Sequence, residues 1–139
     1  MATKVRDIMT GSPTSVSPDL DLATVARTMR DEDIGNVLVI DGETLQGLVT
    51  DRDIVVRGVA GGLDPSTTKI GGICSTVTVT IGPDDDLDDA VQLMRDRAVR
   101  RLPVLQDGRP VGIISLGDLA LEKDSRSALA HISAAQPNQ

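Results

Sequence analysis

Two short motifs pair a hydroxyl side chain with a carboxylate three residues later. Thr50 and Asp53 form the first, and Ser115 and Asp118 form the second, 65 residues further along the chain. Each motif ends an apolar run typical of a buried strand and begins a segment with helical periodicity. The N–H groups at a helix N-terminus favour phosphate, a hydroxyl adds a donor, and a carboxylate accepts hydrogen bonds from ribose hydroxyls. The chemistry of both motifs is therefore compatible with a nucleotide.

The same spacing also describes a helix capping box. In that arrangement the hydroxyl and the carboxylate bond the backbone of the first helical turn, and the carboxylate interacts with the helix dipole. Capping and ligand binding are compatible, so the residues alone leave both interpretations open.

The two motifs lie within an internal repeat that needs no insertion or deletion over more than 45 residues. The apolar helix positions of the first repeat, Leu22, Val25, Ala26 and Met29, correspond to Leu87, Ala90, Val91 and Met94 in the second. Each repeat predicts the order strand, helix, strand, strand, helix, which has too little core to fold alone. We therefore predict an α/β (α+β) fold of two tandem β-α-β-β-α repeats, packed face to face with pseudo-two-fold symmetry.

The repeat boundaries follow from composition and pattern. We place repeat 1 at residues 5–60, a linker at 61–68, repeat 2 at 69–123 and a C-terminal tail at 124–139, with helical character at 127–132. Val77–Ile81 is predicted to be the first strand of repeat 2. Asp51–Val59 is predicted to be a helix whose inward side chains are Ile54, Val55 and Val59.

The composition excludes several classes of protein. The 139 residues are 40% hydrophobic with no aromatic side chain, so the core is aliphatic. A net charge of −7 argues against nucleic-acid binding. One cysteine excludes an internal disulfide, and one cysteine with one histidine cannot build an intramolecular zinc site. No apolar run approaches membrane-spanning length and no signal region is evident, so we expect a cytoplasmic protein without membrane contact.

Three further features favour structural explanations. Cys74 is expected to be a packed thiol, although an intermolecular disulfide or a reactive thiol stays open. His131 lies in the tail and is expected to be exposed. Asp84, Asp85 and Asp86 resemble a metal cluster, but they precede a helix, where acidic residues are favoured by the dipole.

The sequence resembles the cystathionine-β-synthase (CBS) domain family in its paired form, the Bateman module. The marks of the resemblance are the 65-residue tandem, Leu102-Pro103-Val104, and the hydrophobic-hydrophobic-Thr/Ser-x-x-Asp motif in both repeats. The resemblance covers about residues 5–122 and is greatest to small stand-alone bacterial CBS pairs. It implies that adenosyl compounds bind in two clefts, each completed by both repeats.

Transferred to this sequence, the resemblance implies two unequal clefts. The expected residues of cleft 1 are Thr50, Asp53, Val99, Arg100, Arg101 and Pro103. The expected residues of cleft 2 are Ser17, Ile34, Gly35, Asn36, Leu38, Ser115 and Asp118. Arginine forks suit phosphate oxygens, so cleft 1 is expected to hold a phosphorylated ligand and cleft 2 to be empty or to hold a nucleoside-like group.

The function expected is therefore that of a non-catalytic regulatory module. It would bind an AMP-, ADP- or ATP-like ligand, require no other cofactor, and signal to an unknown effector protein through changed packing or oligomeric state. We expect a homodimer formed through the amphipathic helices at 22–32 and 87–97. The alternative is an interaction or scaffold protein with empty clefts. An enzyme is disfavoured because no nucleophile–base set or phosphate loop is present.

Overall fold

Both halves of the chain contain a β-hairpin that leads directly into a helix. A computed structural model describes residues 3–77 and 79–123, so the tail at 124–139, with its predicted helix and His131, lies outside the described residues. The elements in chain order are α1 (Val5–Ile8), β1 (Thr10–Gly11), β2 (Ser15–Val16), α2 (Leu22–Glu32), β3 (Asn36–Asp41), β4 (Thr44–Thr50), α3 (Asp51–Asp53), a π-helical continuation of α3 (Ile54–Val59), a 3-10 turn (Ile70–Gly72), β5 (Ser75–Thr76), α4 (Leu87–Arg97), β6 (Arg101–Gln106), β7 (Arg109–Ser115) and α5 (Leu116–Lys123).

The chain divides into two units that do not coincide with the sequence repeats. One unit is Pro13–Thr78, and we call it the Asp53 unit. The other, the Asp118 unit, combines Met1–Ser12 with Val79–Gln139. Thus α1 and β1 open the first repeat in sequence but fold with the second hairpin. The corresponding opening segment of the second repeat, which ends in β5, folds with the first hairpin.

The Asp53 unit is built on a four-stranded sheet in the order β2-β3-β4-β5. The hairpin β3–β4 is antiparallel, β2 runs parallel to β3, and β5 pairs antiparallel with β4. Alternate strand residues and one face of α2 supply an aliphatic core. Its buried members are Val16, Leu22, Val25, Met29, Val37, Val39, Val49, Ile70 and Ile73.

The Asp118 unit is built on a three-stranded sheet in the order β1-β7-β6. Its hairpin β6–β7 is extended by β1, which pairs antiparallel with β7. Pro103 lies within β6, an edge strand of this sheet, where its missing N–H is tolerated. The buried core members are Val5, Ile81, Leu87, Ala90, Met94, Leu102, Val104, Ile114 and Leu119.

The repeat extends to irregular details of the backbone. Both hairpins have a register shift at the same point, between Val39 and Ile40 and between Val104 and Leu105. Both long helices end in a left-handed residue, Asp33 in the first and Ala98 in the second, each with φ of 55°. These shared irregularities indicate that the two hairpin–helix units are copies of one structure.

The predicted linker at 61–68 contributes to the Asp53 unit. The first N–H groups of α2, from Leu22 and Ala23, donate to the carbonyls of Thr68 and Pro65 at 2.9 Å each. The Asp64 carboxylate accepts bonds from the Ser66 hydroxyl at 2.7 Å and the Ser66 N–H at 2.9 Å. These bonds stabilise the ionised form and hold the pKa of Asp64 below its ordinary value. The linker is therefore an ordered turn that satisfies the start of α2.

The predicted strand at Val77–Ile81 is wrong for most of its length. In the part of this region that the structure describes, pairing is limited to β5, which ends at Thr76, and to an isolated parallel bridge between Ile81 and Val104. Alternating apolar residues fit a strand, but a ladder also needs a partner backbone alongside. Among the described residues of this stretch, only Ile81 has one, through bonds to Pro103 and Leu105.

The predicted helix at Asp51–Val59 is present, but its buried face differs from the prediction. Val55 and Val59 are 58% and 64% exposed, while Ile54 is half-buried against the core. The segment from Ile54 is π-helical, with the N–H of Ala60 bonded to the carbonyl of Val55, and this winding rotates the faces away from α-helical periodicity. The buried contact is made instead by Gly58, where a Cβ atom would lie 2.5 Å from Cδ2 of Leu22.

Candidate functional site

The Thr50–Asp53 motif forms a reciprocal capping box where β4 passes into helix. The Asp53 N–H donates to Oγ1 of Thr50 at 3.1 Å, and the Thr50 N–H donates to Oδ2 of Asp53 at 3.0 Å. The Asp53 side chain is 16% exposed. We call this arrangement the Asp53 corner. The capping box that the sequence allowed is thus formed in the structure. Its bonds use Oδ2 of Asp53, so Oδ1 of the same carboxylate remains as a further acceptor.

A cation lies beside that second oxygen. Nε of Arg57, one turn along the helix, is 3.9 Å from Oδ1 of Asp53. The same guanidinium donates from Nη1 to the carbonyl of Ile73 at 3.1 Å. The Asp53 corner is therefore linked through one side chain to the segment that contains β5.

The Ser115–Asp118 motif repeats the capping box in the other unit. The Ser115 N–H donates to Oδ2 of Asp118 at 2.9 Å, and the Asp118 N–H donates to Oγ of Ser115 at 3.1 Å. We call this the Asp118 corner. The matching geometry, bond for bond, shows that the sequence duplication preserves the orientation of both carboxylates relative to their own helices.

Each corner lies beside the start of the first hairpin strand in its own unit. The Asp51 N–H donates to the carbonyl of Gly35 at 3.0 Å, and Asn36 is the strand partner of Thr50. In the other unit the Leu116 N–H donates to the carbonyl of Arg100 at 2.8 Å.

Charge distinguishes the two strand starts. Arg101 is the strand partner of Ser115, so two arginines, Arg100 and Arg101, stand where the Asp53 unit has Gly35 and Asn36. Arg100 is exposed and Arg101 half-buried. The cationic strand start and the Asp118 corner are adjacent elements of one unit.

The other predicted site residues divide between the units and differ in exposure. Ser17 is exposed and its Oγ accepts from the Asp19 N–H at 3.2 Å. Ile34 and Val99 are half-buried, each against the core of its own unit. Leu38 and Pro103, which occupy the same position in the two repeats, are buried. Each predicted cleft draws residues from both units, so its assembly stays a prediction.

An apolar groove in the Asp118 unit was not anticipated from the sequence. It has a volume of about 520 Å³ and lies between α4 and α5, and its lining includes two cations, Arg95 and Arg100. Its apolar lining is Val91, Met94, Ala98, Val99, Leu116, Leu119 and Ala120. The sequence signal for this groove is Leu116, an apolar residue at the position that Asp51 occupies in the first repeat. In the structure Leu116 is 54% exposed.

The remaining polar candidates have structural roles. Cys74 is half-buried, and its thiol donates to the carbonyl of Gly71 at 3.5 Å. Asp84 pairs with Arg6 at 2.7 Å, Asp85 accepts from the Gly82 N–H at 2.8 Å, and Asp86 is the N-cap residue of α4. In the described part of the chain, no three His, Cys, Asp or Glu side chains are grouped to hold a metal ion, and no helix is long and apolar enough to cross a membrane.

A hairpin that delivers a hydroxyl–carboxylate corner, present twice in one short chain, defines a tandem α/β repeat module. The chain belongs to the CBS domain family: the family model for the CBS domain matches residues 5–58 and 70–123. The protein is accordingly a CBS pair, as the resemblance implied, and the α/β fold of two tandem CBS repeats is confirmed.

Relatives of similar length share more than a third of the sequence. The CBS domain-containing protein YhcV of Bacillus subtilis is 38% identical over 133 residues, which cover 93% of this chain and 94% of that protein. Hypoxic response protein 1 of Mycobacterium tuberculosis is 36% identical over 119 residues, which cover 85% of this chain and 83% of that protein.

Two solved structures show what similar folds hold. The crystal structure of Hypoxic Response Protein I, with two coordinated zinc ions, matches with a TM-score of 0.74 and 36% identity. The match covers 85% of this chain and 97% of that one. The CBS domain pair of protein MJ0100, solved with 5′-methylthioadenosine and S-adenosyl-L-methionine, has a TM-score of 0.79 at 22% identity over 91% of this chain and 100% of that one.

Proposed function

We propose that this protein is a non-catalytic regulatory module that binds an adenosyl nucleotide in a cleft between its repeats, where the corners supply the ribose acceptor. The observation that carries the proposal is the matched geometry of Asp53 and Asp118. In both, Oδ2 is fixed by a backbone N–H and the capping bonds do not use Oδ1, which pre-organises an acceptor for ribose hydroxyls. In the Asp53 corner a ribose would replace the guanidinium of Arg57, whose Nε lies 3.9 Å from Oδ1. The ligand class follows from this chemistry, from membership of the CBS family, and from the adenosyl ligands of the MJ0100 pair.

The proposed binding clefts combine residues of both repeats and differ in charge. In cleft 1, Thr50 and Asp53 would hold the ribose while Arg100 and Arg101 supply guanidinium groups for phosphate. In cleft 2, Ser115 and Asp118 would face Gly35 and Asn36, which carry no charge. We therefore assign AMP-, ADP- or ATP-like ligands to cleft 1, and a nucleoside-like group or no ligand to cleft 2.

The decisive experiment is isothermal titration of AMP and adenosine into the full chain and into Asp53→Asn and Asp118→Asn. Asparagine keeps a side-chain oxygen for the capping bond but removes the charge and one acceptor, so ligand binding is separated from folding. We expect Asp53→Asn to weaken AMP binding by at least about tenfold, equivalent to about 1.4 kcal/mol, and Asp118→Asn to have a smaller effect on AMP.

The matched control is Glu43→Gln, which removes one negative charge at the exposed turn between β3 and β4, at the far end of the hairpin from Thr50. Equal losses in Asp53→Asn and Asp118→Asn would contradict the difference between the clefts. No binding of either compound to the wild-type chain would contradict the nucleotide function.

Self-association through helices is the second part of the proposal. Val55, Val56 and Val59, on the helix that follows the Asp53 corner, are 58%, 47% and 64% exposed. Leu116, on the helix that follows the Asp118 corner, is 54% exposed. Apolar residues thus remain uncovered on the corresponding helix of both repeats, and a homodimer with a two-fold axis would bury them.

Coupling of nucleotide binding to self-association would allow the module to transmit a signal. A ligand that binds one packing arrangement better than another shifts the population toward it, and an effector protein would recognise the result. The alternative is an interaction or scaffold protein whose corners serve only as helix caps; the complete capping bonds in both corners favour it. Titration decides between them, since a scaffold binds neither AMP nor adenosine. We expect both the module and its effector to be cytoplasmic.

A further inference from the structure

Arg57 joins the Asp53 corner to a backbone segment distant in sequence. Its Nη1 donates to the carbonyl of Ile73 at 3.1 Å, and its Nε lies 3.9 Å from Oδ1 of Asp53. The Arg57 side chain is 51% exposed and that of Asp53 is 16% exposed. The guanidinium is therefore held between a well-covered carboxylate and a carbonyl, with its outer face in solvent.

The carbonyl that Arg57 contacts belongs to the segment from Ile70 to Thr76. This segment contains the 3-10 turn and β5, and the chain continues from it into the Asp118 unit. It pairs with β4 at Gly47 and Leu48, in the strand that ends at Thr50. Ile73 itself is 5% exposed within the core. Weakening the hydrogen bond from Arg57 to the Ile73 carbonyl would therefore affect a packed segment next to the Asp53 corner.

The second repeat has the opposite charge at this position. Glu122 stands where the first repeat has Arg57, 65 residues later. A carboxylate cannot donate a hydrogen bond to a backbone carbonyl. The bridge between corner and segment is therefore a property of the Asp53 unit that the duplicated sequence does not share.

We propose that Arg57 transmits occupancy of the Asp53 corner to the segment Ile70–Thr76. The inference rests on the proposed function, because it takes Asp53 to hold a ribose. Ribose hydroxyls bound to Oδ1 displace the guanidinium from the carboxylate. An arginine side chain tethered at one end recovers rotamer freedom, so its bond to the Ile73 carbonyl weakens and the segment opens more often.

Cys74 provides a direct readout of that opening. It is the single cysteine of the chain and follows Ile73. Its thiol is half-buried, donates to the carbonyl of Gly71 at 3.5 Å, and lies 3.8 Å from Nε2 of Gln46. The rate of its alkylation by N-ethylmaleimide therefore reports how often the segment loosens.

The experiment compares alkylation rates with and without saturating AMP. Wild-type protein is expected to react about two- to fivefold faster with AMP, the size expected from losing one partly exposed ion pair.

Arg57→Met is expected to react at the faster rate without ligand and to show no further change with AMP. Asp53→Asn, which keeps the capping acceptor, is expected to match Arg57→Met without ligand. The control Arg52→Met, a change of the same type in the same helix, is expected to react like the wild type.

Three results would overturn the inference. One is an AMP effect on Cys74 that persists in Arg57→Met, as steric protection by the ligand would produce. Another is an unchanged rate in wild-type protein when calorimetry shows AMP bound. If no AMP binds, the proposed function fails on its own, and the alkylation rates without ligand test the role of Arg57. Equal rates for wild type, Arg57→Met and Asp53→Asn would show that the contacts from Asp53 through Arg57 to Ile73 do not control the segment.

Discussion

Gly47 and Gly112 are residues at which a neighbouring segment closely approaches the hairpin of each unit. A Cβ atom at Gly47 would lie 2.6 Å from the carbonyl oxygen of Ser75 and 2.7 Å from Sγ of Cys74. At Gly112 the equivalent atom would lie 2.5 Å from Sδ of Met9 and 2.9 Å from the carbonyl oxygen of Thr10. Two glycines at the same repeat position thus permit β5 and β1 to pair with their hairpins.

Alanine at either glycine is expected to destabilise the protein. The backbone oxygens cannot move aside without breaking the ladder, so Gly47→Ala and Gly112→Ala should each lower the free energy of unfolding by about 1–3 kcal/mol. Urea unfolding monitored by circular dichroism measures the change. Gly72→Ala is the control, because a Cβ atom there has no neighbour within 4 Å. A loss in Gly72→Ala equal to the other two would contradict the steric explanation.

At the scale of elements, the N-terminal segment completes the sheet and core of the second hairpin. Val5 is fully buried in the core of the Asp118 unit, and β1 pairs with β7 through Thr10 and Gly11. The backbone of α1 adds bonds from the Val5 and Arg6 N–H groups to the carbonyls of Asp85 and Pro83, each at 2.9 Å. Loss of this segment should therefore weaken the distant repeat rather than its sequence neighbour.

Val5→Ala tests whether the N-terminal segment belongs to the core of the Asp118 unit. Removing two buried methyl groups should cost about 1–3 kcal/mol, from lost burial and a residual cavity. Hydrogen exchange by mass spectrometry should show faster exchange in β6 and β7 and unchanged exchange in β3 and β4. Val16→Ala, in the core of the Asp53 unit, should give the reverse pattern. Faster exchange of β3 and β4 in Val5→Ala would contradict the assignment of α1 to the Asp118 unit.

At the scale of the whole molecule, the exposed apolar side chains are concentrated on helices that begin at the corners. Val55, Val56 and Val59 follow Asp53, and Leu116 lies between Ser115 and Asp118. The amphipathic helices α2 and α4, which the sequence indicated for self-association, bury Leu22, Val25 and Met29 in one unit and Leu87, Ala90 and Met94 in the other. The structure thus directs the dimer proposal to different helices.

Acidic substitutions on the exposed valines should prevent self-association. We expect the wild-type protein to scatter light as twice the 14.6 kDa chain, and Val55→Asp combined with Val59→Asp to scatter as a single chain, because buried unpaired carboxylates are costly. Leu63→Asp, at a 39% exposed position in the linker, is the control. A double variant that keeps the dimer mass would place the interface elsewhere.

The sequence by itself determined the duplicated architecture and the location of the two corners. The 65-residue offset carries α2 onto α4 and the first hairpin onto the second, and the Thr50 and Ser115 motifs begin helices as expected. This succeeded because hydrophobic periodicity and capping preferences are local, so a few neighbouring residues suffice to specify each element.

Tertiary structure alone decided which segments complete each unit and which helix face is buried. β1 pairs with β7 across about a hundred residues of chain, and short segments of this kind carry too little local pattern to reveal their partners. The π-helical winding after Asp53 exposed Val55 and Val59 because Gly58 packs on Leu22, a contact between elements that periodicity does not encode. The bridge from Asp53 through Arg57 to Ile73 likewise exists only once β5 lies beside the hairpin.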